Sequence, residues 1–307
     1  MSEADWNRHL EEIGDQNGYF EALGPDHFAL FSDQSATLVV SFEDVATIRA
    51  EDSTAMPAGH RIAAARGWSS LTIVARGRSW FRDPALYDFF DRLVDEAFFE
   101  DFDRVVFFGA GMGGYGAAAY SVTAPGATVV LIAPQATLDP EMAGWDPRFA
   151  RHRILNFTDR YGYAPDMIEG AGPVFLAYDP RVTFDAMHAA LFARPFVTRL
   201  PCRGAGADIA GMFDILGLDE AMLRLAGDGR LSAEAFWRLW RSRRAHGPYL
   251  RRLVEDLGAA RQVWRGALVC RNVVERLQAP RFAARLAQLE AQLAAEGRPL
   301  PERRGSA

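Results

Sequence analysis

The 307-residue chain contains no lysine, and all 34 of its basic residues are arginine. That absence removes every mechanism that needs an amine nucleophile or a lysine on a phosphate, including a GxxxxGK[ST] loop, a protein-kinase strand lysine and pyridoxal-phosphate chemistry. Cysteine is nearly as scarce. Cys202 and Cys270 are too few for a disulfide framework and too isolated for zinc-ligand spacing, so a reducing, cytoplasmic setting is expected. No run of 18 uncharged apolar residues occurs and the first 15 residues are polar and acidic, so neither a membrane span nor a signal peptide is expected. H-E-x-x-H, paired C-x-x-C and EF-hand loops are also missing, and no metal or cofactor is expected.

What is present is ordinary globular material, 49% apolar and 24% charged, enough for one large α/β domain and an appendage. Charge is divided unevenly. From Arg224 onward there are 17 arginines against 8 acids, a net of +9, and the preceding 223 residues carry −15. A basic tail of this kind suits nucleic acid, anionic lipid or the acidic part of its own chain. No aromatic-interleaved basic motif or zinc-finger spacing accompanies the arginines, so nucleic acid is not an expected partner.

Apolar runs at 27–32, 37–42, 71–75, 104–108, 128–133, 174–178 and 196–201 read as strands, separated by helices near 60–66, 84–98, 114–121, 184–192 and 209–216. Asp83 followed by Pro84 suits a helix start, with the aspartate as N-cap. The alternation predicts an α/β fold with a mostly parallel sheet covered on both faces. Residues 138–172 interrupt it and form a candidate lid. Beyond 217 only helical periodicity remains, at 219–226, 232–244, 249–260, 267–277 and 282–294. The expected organisation is a core over 1–217, an arginine-rich helical appendage over 218–295 and a frayed tail over 296–307.

The most specific local signal is Phe107-Phe108-Gly109-Ala110-Gly111-Met112-Gly113-Gly114-Tyr115-Gly116, an apolar strand passing through glycines into an alanine-rich helix. Gly109, Gly111 and Gly114 satisfy G-x-G-x-x-G, the dinucleotide fingerprint. A ribose-binding acid should then end the next strand, which instead reads Ile132-Ala133-Pro134-Gln135.

The same string resembles the nucleophile elbow of α/β-hydrolases, in its Gly-x-Ser-Met-Gly-Gly-Tyr form, over residues 36–216. The resemblance implies a three-layer α/β-hydrolase-like core with a C-terminal helical appendage. It places Gly111 where the nucleophilic serine belongs, Asp179 at the acid position and Ala207 at the histidine position. Two of the three triad roles are therefore empty, and Asp179 has no imidazole to orient. Over its whole length the chain is also similar to proteins named phosphoadenosine phosphosulfate reductase, although the Ser-Gly-Gly-Lys-Asp-Ser loop and Glu-Cys-Gly-x-His segment of that enzyme are absent.

Without the serine, the elbow keeps the backbone amides of a helix start, with Met112 N–H as half of an oxyanion hole. Gly109, Gly111, Met112, Gly113 and Gly114 are thus candidate ligand-binding residues, with Gln135, Asp179, Trp80, Arg82 and Asp83 expected along the same crevice. The histidines supply no replacement: His27 begins a strand, and His188 with Asp185 is expected to be a surface i, i+3 pair. The leading expectation is a non-catalytic hydrolase-like protein binding a small ligand or a protein partner. Three alternatives stand beside it: an enzyme with a non-serine mechanism, nucleotide- or sulfonucleotide-dependent; a dinucleotide-dependent oxidoreductase; and a structural subunit joined through the 232–294 helices, where Trp237 and Trp240 would be anchors. Homo-oligomerisation is left open.

Overall fold

The computed structural model of the chain describes residues 3–51 and 55–301. Eight strands, β1 (Gly18–Leu23), β2 (His27–Ser32), β3 (Thr37–Asp44), β4 (Ser69–Ala75), β5 (Arg104–Ala110), β6 (Thr128–Ile132), β7 (Val174–Tyr178) and β8 (Val197–Pro201), form one sheet in the order β1-β2-β4-β3-β5-β6-β7-β8. The pairings of β1 with β2 and of β2 with β4 are antiparallel, and all the others are parallel. Side chains alternate across a strand, and β2 displays the result. Phe28 and Leu30 pack with Trp6 and Leu10 of the helix Glu3–Asn17, while Ala29 and Phe31 belong to the larger cluster containing Phe89, Phe90 and Phe107. Both faces are buried, giving a three-layer α/β core with a mostly parallel sheet. A dinucleotide fold would run 3-2-1-4-5-6 with its glycine turn after the first strand. Here that turn follows the fifth strand, in the middle of the sheet.

The seven expected strands are present within two residues at each end, and an eighth, β1, precedes them. β1 was illegible because it is an edge strand with a mostly half-exposed pattern, lacking the apolar alternation of its neighbours. No helix among the described residues is long and apolar enough to cross a membrane.

The chain divides into two compact units, at a place 22 residues beyond the boundary expected at 217. The first unit continues to Leu239. The helix Leu218–Gly227 buries Leu218, Met222, Leu223 and Ala226, and Arg104 at the start of β5 donates to the Gly227 carbonyl at 2.6 Å. Gly227 lies so close to the Trp68 ring that a Cβ there would collide with it. An amphipathic helix read alone does not reveal which body takes its apolar face.

The second unit, beginning at Trp240, contains the helices Gly247–Ala259, Val263–Leu277 and Pro280–Ala295 around Leu250, Val254, Cys270, Val273, Phe282, Leu286 and Leu289. Its end is anchored farther than the sequence implied. Leu300 packs on this cluster and Arg271 donates to the Pro301 carbonyl at 2.7 Å; residues 302–307 of the expected tail lie outside the described residues. Trp237 and Trp240 do not act as a pair, since Trp240 is buried beside Tyr249 whereas Trp237 is 38% exposed.

The helix Met112–Tyr120 packs almost backbone to backbone on the sheet. A Cβ on Gly109 would collide with the Gly113 carbonyl, one on Gly113 with the Phe42 carbonyl, and one on Gly116 would sit 2.6 Å from the Phe42 ring and 2.8 Å from Phe81. Gly113→Ala should therefore lower unfolding free energy by at least about 1–3 kcal/mol. Gly170→Ala, where a Cβ meets nothing within 4 Å, should stay within about 1 kcal/mol of the parent or gain stability. Urea denaturation of the two variants checks the contrast.

Candidate functional site

Between β5 and its helix, Gly111 turns the chain with φ 54° and ψ −117°. Its N–H donates to the Ile132 carbonyl of β6 at 2.8 Å, and its carbonyl accepts Tyr115 N–H at 3.0 Å. The φ value lies in the left-handed region that disfavours a side chain. Space does not: a Cβ on Gly111 meets no atom within 4 Å. The glycines on either side are thus required by crowding, whereas Gly111 answers only to a backbone angle. Met112 occupies the first position of a nine-residue helix, where its N–H has no intrahelical acceptor.

Asp179 follows β7 and is buried. One carboxylate oxygen accepts Arg181 N–H at 3.0 Å, and the other accepts Gly206 N–H at 2.7 Å. Gly206 lies on the loop after β8, one residue before the exposed Ala207. Asp179 and the loop after β8 therefore meet through a backbone amide. Asp208 is used locally, capping the next helix through Gly211 N–H at 3.1 Å.

The remaining candidates are committed to structure. Trp80 Nε1 donates to Gln135 Oε1 at 3.2 Å, with both residues buried. Arg82 donates from Nε to the Asn156 carbonyl at 2.7 Å and from Nη1 to the Arg160 carbonyl at 2.8 Å, with its guanidinium over the Tyr87 ring. From the elbow helix, Tyr115 Oη donates to the Tyr161 carbonyl at 2.8 Å. Arg82 and Tyr115 together fasten the 138–172 segment to the core. Asp83 caps the helix Pro84–Asp95 as its sequence implied, accepting Ala85 N–H at 2.9 Å.

The expected surface pair of Asp185 and His188 is overturned. His188 is fully buried: its Nδ1 accepts Ala136 N–H at 3.2 Å, which directs the Nε2 proton to Asp146 at 3.1 Å. Arg148 bridges Asp146 at 2.8 Å and Asp185 at 2.7 Å, and Trp145 covers the imidazole with a centroid separation of 4.6 Å. Residues 145–148 thus fold over the helix Thr183–Leu191 and convert an apparent solvent face into an internal network. Helical spacing placed Asp185 and His188 together correctly, but nothing local announced the partners arriving from 37 and 42 residues away. Burial alone would raise the Asp146 carboxyl, yet its bonds to His188 and Arg148 outweigh that and hold it below the usual range. Asp185 is shifted upward, because burial prevails there over Arg148. Among the described residues, no cluster of three or more His, Cys, Asp or Glu side chains is placed to hold a metal ion.

No protein-family model matches the chain, and no curated protein matches it. Among solved structures it is similar to a Pyrobaculum calidifontis esterase, at 15% identity and a TM-score of 0.43, covering 75% of this chain and 93% of that one. It is similar to the capsule O-acetyltransferase of Neisseria meningitidis serogroup A at 12% identity and 0.43, over 66% and 92%. A third likeness is to the glycosylation-associated Gap123 complex of Streptococcus agalactiae, at 13% identity and 0.42, over 66% of this chain but only 45% of that one.

Because the folded-state pKa of Asp146 is depressed, its contribution is complete above the ordinary carboxyl value of about 3.8 and is lost as pH falls through the lower folded value. Asp146→Asn should cost about 3 kcal/mol at pH 7 by breaking a buried ionic network. Urea midpoints measured from pH 7 to pH 2 should show the gap between parent and variant narrowing below about pH 4.

Proposed function

We propose that the elbow crevice is a binding site without covalent chemistry, so that at this place the protein works as a non-catalytic hydrolase-like module for a small carbonyl- or carboxylate-bearing ligand. The observation that carries this reading is the open corner at Gly111. A residue with no side chain stands where a nucleophile would project, and the space beyond its Cα is unfilled. Met112 N–H at the helix start supplies a donor for an oxygen placed there. The other triad positions support non-covalent use, since Ala207 cannot shuttle a proton and the Asp179 carboxylate is already held by Gly206 N–H. The 138–172 segment, fastened by Arg82 and Tyr115, is the proposed cover of this crevice. Cys202 and Cys270, buried in separate compact units, fit a reducing cytoplasmic setting.

Butyrate serves as the probe, being a carboxylate small enough for the corner. At about 10 mM it should raise the melting temperature by about 2–4 °C, as expected for a millimolar site in a protein of this size. Gly111→Asn, which fills the corner, should melt at the same temperature with and without butyrate. An unchanged melting temperature in the parent protein, or an equal shift in the variant, would overturn the reading.

A further inference from the structure

Away from the elbow, three side chains of a different kind converge. The antiparallel register sets His27, the first residue of β2, opposite Ala75, the last of β4. The chain leaves β4 through Arg76, Gly77 and Arg78, all exposed, and Ser79 returns beneath His27. Ser79 Oγ lies 2.6 Å from His27 Nε2, and His27 Nδ1 lies 3.5 Å from Asp83 Oδ2. The Asp83 carboxylate faces Nδ1 and therefore favours the tautomer protonated there, leaving the Nε2 lone pair for the serine hydroxyl. Ser79 Oγ also accepts Phe81 N–H at 3.1 Å, so its own proton is the one directed at His27. Ser79 and His27 thus have the donor and acceptor roles that a serine–histidine–aspartate relay requires, while Asp83 stands within ion-pair distance of an Nδ1 that makes no hydrogen bond in this structure.

The surroundings favour chemistry over simple bonding. His27 is 1% exposed, which shields its proton from bulk water, while Ser79 is half-buried. Arg76, Gly77 and Arg78, just before the serine, are exposed, and a Cβ on Gly77 meets nothing within 4 Å. The turn is strained, with the buried aromatic residues Trp80 and Phe81 at φ 48° and 53°, and Tyr120 Oη donates to the Phe81 carbonyl at 2.7 Å to hold it. Asp83 is fixed independently, because its other oxygen caps the helix Pro84–Asp95. Burial lowers the His27 pKa against the opposing pull of Asp83, so the imidazole is neutral at pH 7 and able to take a proton.

We propose that Ser79, His27 and Asp83 form a nucleophilic site that accepts an acyl group from a short-chain ester and passes it to water. Ser79 Oγ attacks the ester carbonyl as its proton moves to His27 Nε2. The bond from the carbonyl carbon to the alcohol oxygen then breaks, and that oxygen leaves with the proton held on Nε2. A water molecule attacks the acyl-serine, gives one proton to Nε2 and forms the acid; the carbon–Oγ bond breaks and Oγ recovers the proton. Asp83 stays ionised and stabilises the transient imidazolium. Ser79 and His27 are the catalytic residues and Asp83 is a positioning residue. The site is independent of the elbow reading, and the failure of either leaves the other standing.

A fluorophosphonate probe tests the proposal on the full chain. Oγ displaces fluoride from phosphorus, which leaves as HF, and the adduct is located by peptide mass. The expected result is a single adduct on Ser79, none in Ser79→Ala, and labelling slowed by about 100-fold or more in His27→Gln. Asp83→Asn separates relay from scaffold, because asparagine still caps the helix but carries no charge. It should keep the parent melting temperature and label at least about 10-fold more slowly, and it carries the test alone if His27→Gln does not fold. Absence of an adduct on Ser79 in the parent, or labelling at the parent rate in a folded Asp83→Asn protein, overturns the proposal.

Discussion

The structure depends on how closely one helix approaches the sheet. Met112–Tyr120 lies against β3 and β5 at separations that exclude side chains at Gly113 and Gly116 and at Gly109, and that approach fixes the strand-to-helix turn at the centre of the sheet. The same helix presents the aromatic groups that organise the layer above. Tyr115 holds carbonyls of the 138–172 segment, while Tyr120 stacks on Phe42 and Phe90 and holds the Phe81 carbonyl. One backbone contact therefore determines both the opening at Gly111 and the turn that aims Ser79.

The long segment after β6 sinks Leu138, Phe157, Ala164 and Ile168 into the main core cluster, and polar contacts hold it as well. Arg82 reaches it from one side, and the Asp146–Arg148–Asp185 bridge and His188 secure it on the other. Buried ionic groups of this kind add little net stability compared with apolar packing, but they lose much when one partner is removed. They specify one placement of a chain stretch whose own secondary structure amounts to single turns, such as Pro140–Ala143 and Ala164–Met167.

Most of the sheet was legible because its strands are fully buried runs, such as Phe28-Ala29-Leu30-Phe31 and Val174-Phe175-Leu176-Ala177, that fit no other assignment of that length. The glycine-rich turn from β5 into its helix was legible too, since Gly109, Gly113 and Gly116 are dictated by crowding and survive as a string. What escaped was anything created by register or by distant approach. His27 and Ser79 are 52 residues apart and become neighbours only through the pairing of β2 with β4. Arg82 looked like a crevice-lining cation, and its carbonyl partners 74 and 78 residues away could not be read from its own loop. Asp83 was read correctly as a cap, yet a cap uses one carboxylate oxygen and leaves the other for a second role.

Gly111 and Asp179 have separate physical explanations, and these bear on how such positions should be read. At φ 54° a residue with a Cβ carries strain of about 1 kcal/mol or more. A serine in that place must be maintained by its chemistry, whereas glycine is the relaxed occupant once no hydroxyl is used. Asp179 needs no imidazole to persist, because the Gly206 amide that it accepts ties the loop after β8 to the end of β7. Removing the carboxylate would leave that amide without its partner, at a cost of about 1–3 kcal/mol. A buried aspartate at the end of β7 therefore says little about catalysis. At Ser79 and His27, by contrast, the donor and acceptor roles themselves fit proton transfer, with the Asp83 carboxylate at ion-pair distance.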